Sequence, residues 1–122
     1  MTYNVYAKDC PSRMILDQIS SKWAMLILNR LADKTVRFNQ LRREIDGISQ
    51  KVLSQTLKNL ERDGLIYRKV FPTVPVTVEY SITELGKTLS EALHILTHWA
   101  EKHYDAVAQA QKAYDKRVMK AW

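Results

Sequence analysis

Residues 49–64, SQKVLSQTLKNLERDG, sort their apolar and polar positions onto opposite sides of a helix. At about 100° per residue, Leu53, Leu57, Leu60 and Gly64 share one narrow stripe, while Lys51, Gln55, Lys58 and Arg62 fall opposite it. Glu61 and Asp63 come late and off the basic line, so the polar face offers cations and an amide rather than mixed charge. Ser49 suits the N-cap and Gly64 the stop. One side of such a helix packs, and the other suits phosphates and base edges.

Upstream, Pro11 fits a first helical turn, and Ile15, Leu16 and Ile19 recur at helical spacing through residues 12–19. Ser20 and Ser21 offer an N-cap for a second helix, KWAMLILNRLAD, with Trp23, Leu26, Ile27 and Leu31 expected in the core and an end near Asp33. Val36, Arg37 and Phe38 read as a very short extended piece before FNQLRREI, a third helix lined by Phe38, Leu41 and Ile45. Asp46, Gly47, Ile48 and Ser49 then form a tight polar turn, so the third helix and the helix of residues 49–64 make a helix-turn-helix.

Beyond Gly64 the composition becomes β-branched and aromatic over residues 65–71 and again over 76–82, which predicts two strands. Pro72 and Pro75 bar a continued ladder between them, so the pair reads as a hairpin with a stiff exposed loop, a wing. Thr83 and Glu84 open a last helical pattern through Leu89, Ala92, Leu96, Trp99, His103 and Ala106 in alternating steps of three and four. Unbroken to about Val118 it would be roughly 50 Å long at about 1.5 Å per residue. A compact globule of this size is only about 35 Å across, so the excess calls for a partner, most simply a second copy.

The length of 122 residues fits one domain, and three Gly and three Pro with 46% hydrophobic residues favour a mostly helical globule over disorder or an all-β fold. The formal charge of +6 is compatible with a polyanionic partner, and its placement says more than its size. Arg37, Arg42, Arg43, Lys51, Lys58, Arg62, Arg68 and Lys69 bracket the two-faced helix, against Glu44, Asp46, Glu61 and Asp63. A single cysteine, Cys10, excludes an intramolecular disulfide scaffold. The N-terminus lacks the apolar core of a signal peptide and no segment approaches a membrane span, which points to the cytoplasm and to no membrane partner.

The collinear set of Cys10-Pro11, Lys22-Trp23, RFNQLRREIDGIS, KVLSQTLKNLERDGLI and VEYSITELG resembles the HxlR-type winged helix-turn-helix transcriptional regulators over most of the chain. The resemblance implies a mainly α fold with a small β-hairpin wing and N- and C-terminal dimerisation helices. It places the first two helices at about residues 11–32, the helix-turn-helix at 38–64, the wing at 65–82 and the dimerisation helix at 83–118. The implied function is that of a regulator, more commonly a repressor, binding a pseudo-palindromic operator in double-stranded DNA as a homodimer. Carried over by residue, Ser49, Gln50, Lys51, Ser54, Gln55 and Lys58 are recognition positions. Arg37, Asn39, Gln40, Arg42, Arg43, Arg62, Lys69 and Thr73 add DNA contacts, with residues 73–76 toward the minor groove. Ile15, Leu16, Ile19, Leu89, Leu96, Trp99 and His103 are the expected dimer interface. Val76 and Ser21 stand where many members of that family have proline and glycine.

Cys10 precedes a helix N-terminus and has Lys8 and Arg13 nearby, a setting that favours thiolate. Some members of the family use a cysteine there to sense electrophiles or oxidants by alkylation or an intersubunit disulfide; the other reading is a small packed residue. His94 and His98 stand four apart, with Glu91 and Glu101 near, but lack a third strong ligand and read as surface or interface residues, with no metal and no cofactor expected. Trp23, Trp99 and Phe38 read as core, although apolar space across a dimer could admit a small effector. Without a phosphate loop or nucleophile motif, no enzymatic activity is expected. The competing readings are a winged-helix module that binds protein and a regulator answering a non-covalent ligand.

Overall fold

The computed structural model describes residues 2–121 and contains, in order, α1 (Pro11–Ile19), α2 (Lys22–Leu31), β1 (Val36–Arg37), α3 (Phe38–Glu44), α4 (Gln50–Arg62), β2 (Ile66–Phe71), β3 (Thr77–Ile82) and α5 (Glu84–Ala121). The chain divides into two compact units, the first running to Glu91 and the second beginning at Ala92, within α5. No helix of the described residues is long and apolar enough to cross a membrane.

The core of the first unit lies where α2, α3 and α4 meet the sheet: Ile27, Leu28 and Leu31, Leu41, Leu53, Leu57 and Leu60, with Val36, Ile66 and Tyr80 from the three strands. A helix of this length is marginal on its own in water. Burying Leu53, Leu57 and Leu60 contributes about 1.5–3 kcal/mol each, and this packing, more than helix propensity, holds α4 in place. Its start is capped by Ser49, whose Oγ accepts the Val52 N–H at 3.1 Å. At its end the Gly64 N–H donates to the Glu61 carbonyl and the Leu65 N–H to the Leu60 carbonyl, each at 3.0 Å. This is the paired closure that a left-handed residue after the helix permits, and Gly64 has φ +76°.

α2 is capped as its serine pair suggested, with Ser21 Oγ accepting from Ala24 N–H at 3.1 Å. Leu26, expected in the core, is 39% exposed. The buried face of α2 is Ala24, Ile27, Leu28 and Leu31, which leaves Leu26 on the far side; Trp23 is only half-buried at its margin. Phe38, read as part of the extended piece, is the first residue of α3, and Leu65, read as strand, precedes β2.

The wing is one part of a larger sheet. Three antiparallel strands run in the order β1-β3-β2, with Val36 opposite Tyr80 and Arg37 opposite Glu79 on one side of β3, and Ile66 opposite Ile82 through Phe71 opposite Thr77 on the other. Two residues are too few to show a strand period, so the β1 pairing was invisible in the pattern. It joins the start of the helix-turn-helix to the wing.

The junction between wing and last helix is tightly keyed. Thr83 N–H donates to the Leu65 carbonyl at 3.1 Å, and Thr83 Oγ1 donates to the Gly64 carbonyl at 2.7 Å while accepting the Gly86 N–H at 2.9 Å. One threonine thereby caps α5 and ties its first turn to the end of α4. In the second unit α5 continues to Ala121, three residues past the expected end. That unit exposes Ile95, Leu96, Trp99, Tyr104, Val107, Tyr114 and Met119.

Candidate nucleic-acid interface

α4 presents Gln50, Lys51, Gln55, Lys58 and Arg62 to solvent, with Ser54 half-buried beside them. The separation follows from the sequence: leucines at 53, 57 and 60 turn inward and force the cationic line outward. Helix geometry leaves the Gln50 and Lys51 N–H groups without intrahelical partners, and the dipole adds partial positive charge there, a setting that attracts phosphate. Gln55 Nε2 donates to Asn59 Oδ1 at 3.2 Å, which orients its amide along the helix face. Thr56 Oγ1 donates back to the Val52 carbonyl at 2.7 Å and takes no part in the outer face.

α3 sets Asn39, Arg42 and Arg43 in solvent and leaves Gln40 half-buried. Gly47, at φ +86°, makes the turn that brings α4 back past α3, and Ile48, read as one residue of a tight polar turn, is buried as its anchor. A second tie was not foreseen from the sequence: Lys34 Nζ lies 2.9 Å from Glu44 Oε1, joining the segment after α2 to the end of α3. The Lys34 hydrogen bond holds the Glu44 carboxyl below its ordinary value. The contact is therefore made at neutral pH and lost as pH falls through the depressed value.

Arg37 heads α3 and is exposed, 3.6 Å from Glu79 Oε1 across the β1–β3 pair. Lys69 is exposed on β2 with its ammonium 5.0 Å from the Phe71 ring centre. Thr73, expected to reach DNA, spends its hydroxyl inside the loop, donating to the Pro75 carbonyl at 2.7 Å. Thus α4, the α3 arginines and the β2 cations all belong to the first unit, and the loop contributes no charge.

Cys10 is the N-cap residue of α1, only 8% exposed, with its Sγ 2.9 Å from Ser12 Oγ. That side-chain hydrogen bond is the main cause lowering the thiol from its ordinary value; burial opposes it, and backbone hydrogen bonds from Ser12, Asn4 and Arg13 add to the lowering. The sequence reading emphasised the charges of Lys8 and Arg13 and missed Ser12, although a hydroxyl two residues into the helix is a legible donor. Ile15 and Leu16 are exposed on α1, and Ile19 and Leu89 half-buried. In the second unit Leu96 and Trp99 are exposed, and Trp99 stacks on the half-buried His103 with centroids 5.1 Å apart. The rings of His94 and His98 lie 6.4 Å apart, and among the described residues no three metal-ligating side chains gather.

The chain matches the HxlR-like helix-turn-helix family over residues 18–108. It is 47% identical over 98 residues, 80% of its own length and 78% of the relative's, to YtfH, an uncharacterized HTH-type transcriptional regulator of Escherichia coli (strain K12). Among solved structures it is similar to the transcriptional regulator ytfH from Salmonella typhimurium, with a TM-score of 0.88 and 41% identity over 91% of this chain and 99% of that one. The redox regulator HypR in its reduced form aligns with a TM-score of 0.73 and 36% identity, covering 81% of this chain and 98% of that one.

Proposed function

The chain belongs to the HxlR-like helix-turn-helix family of transcriptional regulators, and we propose that it binds a pseudo-palindromic operator as a homodimer, with α4 as recognition helix. The observation that carries this reading is the exposed line Lys51, Gln55, Lys58 and Arg62, set outward by a leucine face that is fully packed. Gln55 suits an adenine edge and Lys51 a guanine, each good pair giving about 1–3 kcal/mol of discrimination. Arg37, Arg42 and Arg43 suit phosphates, which fix register without reading sequence. Arg37 trades its exposed contact with Glu79 for a phosphate at small cost, because exposed ion pairs contribute about 0–1 kcal/mol.

A second copy is supported by the apolar groups that each unit leaves in water, Met14, Ile15 and Leu16 in the first and Leu96 and Trp99 in the second. Bound at the cytoplasmic chromosome, such a dimer represses by occupying promoter DNA. A mobility shift with a duplex from upstream of its own gene should show retardation that weakens steeply as salt rises. No retardation at low salt would overturn the reading.

Cys10 adds a second layer, supported by its lowered thiol, the Ser12 hydrogen bond and the likeness to a redox regulator. In the same assay, diamide should release the parent protein and leave Cys10→Ser bound. If both remain bound, Cys10 is a packed residue and nothing more.

A further inference from the structure

Within the second unit, α5 carries His94 and His98 four positions apart, a spacing that sets side chains one above the other on a helix. Both rings are exposed, with centroids 6.4 Å apart and planes inclined by 21°. Among the described residues neither imidazole has a hydrogen-bond partner. His103 differs, because its Nδ1 lies 3.1 Å from the Trp99 carbonyl and its ring stacks on the indole. At about 100° per residue, Glu101 falls on the same arc as the histidine pair, one turn beyond His98, and it too is exposed. Leu96, Val107 and Tyr114 fall on the opposite side of the helix, so the apolar arc can be covered while the histidines stay in water.

We propose that His94 and His98 chelate one divalent ion of the zinc, nickel or copper group on the polar face of α5, with the Glu101 carboxylate in reach as a third ligand and water completing the shell. Spacing alone leaves the pair short of a third strong ligand. A chelate needs only two, because the second ring binds intramolecularly once the first has bound. Metal–nitrogen bonds of about 2.0–2.1 Å require the ring centroids to close by roughly 1–2 Å. Exposed rings make such rotamer adjustments in picoseconds to nanoseconds. Two imidazoles select these ions over magnesium or calcium, which take oxygen shells. Since the rings converge on one ion only when the backbone between them is helical, bound metal favours the folded second unit. Neither histidine is among the residues assigned to DNA, so metal binding and DNA binding are separable.

The test titrates the untagged full-length chain with zinc chloride by calorimetry in a non-chelating buffer, with magnesium chloride as the control. The parent should bind zinc and not magnesium. His94→Ala and His98→Ala should each weaken zinc binding by roughly a hundredfold. Alanine suits a helix, and melts without metal confirm that the variants fold. Cys10→Ser should bind zinc as the parent does, which separates the pair from the thiol. The double variant His98→Ala, Ala100→His keeps the histidine count but sets the two rings on different sides of the helix, and it should bind as weakly as His98→Ala. Parent-like affinity in either single alanine variant or in the double variant overturns the chelate. So does loss of zinc binding in Cys10→Ser, equal binding of magnesium, or no zinc binding by the parent.

Discussion

Gly86→Ala is expected to be the most damaging single-methyl change in the protein, lowering stability by about 3 kcal/mol or more and the melting temperature by about 10–20 °C. A β-carbon at Gly86 would overlap the Leu65 carbonyl oxygen and come within 2.7 Å of Ile82 Cγ1. Neither neighbour moves cheaply. The Leu65 carbonyl accepts the Thr83 N–H, and the Leu65 N–H closes the end of α4 on the Leu60 carbonyl. Ile82 is paired opposite Ile66 in the sheet. Relief requires lifting the first turn of α5 from the α4–β2 connection, which also strains the Thr83 bonds to Gly64 and Gly86. Thermal unfolding followed by circular dichroism reads the effect; a melting temperature within a degree or two of the parent would mean that the close approach is not part of the folded state.

Exchanging Lys51, Lys58 and Arg62 together for glutamine is expected to have the opposite profile, large in binding and small in stability. All three are exposed and glutamine is a comparable helix former, so unfolding should shift by no more than about 0.5 kcal/mol. If each cation neutralises one phosphate, the slope of log affinity against log salt becomes shallower by about 2.7 per protomer. Affinity at physiological salt falls by roughly a hundredfold per protomer, the counterion-release contribution of three phosphate contacts. A titration across 50–300 mM salt checks this, and a parent-like slope in the triple variant would remove α4 from the interface.

How much of this was legible in the sequence varied with the physics of each element. α4 was plain because a leucine stripe, a serine cap and a terminal glycine all agree over sixteen positions. α5 was plain in kind and read three residues short in length, because its last turn holds no glycine, proline or capping residue that marks a stop. β1 was legible as a short extended piece but its partner was not, since Val36 and Arg37 are too few to carry a period and their pairing with β3 is set by tertiary contact. Leu26 misled because hydrophobicity was read without assigning the buried arc of α2, which Ala24 and Leu28 define.

The interface residues were readable by type, as cations and amides on an outward face. Their present engagements were not: Arg37 with Glu79, Gln55 with Asn59, and the Thr73 hydroxyl with its own loop all depend on distances that spacing does not supply. Gly86 was visible only as part of a shared motif. Its role comes from a backbone carbonyl twenty-one residues earlier in the chain, which no local pattern reveals.

The central claim is that α4 reads base edges, in duplicate, from a two-fold pair of these chains. Selection of duplexes from a random pool by the parent and by Gln55→Ala tests it most directly. The account predicts enrichment of inverted half-sites about 10–10.5 base pairs apart, centre to centre. It also predicts that Gln55→Ala loses preference at one symmetric pair of positions while keeping the spacing. Enrichment of no motif by the parent, or an identical motif with identical preferences from both proteins, would contradict it.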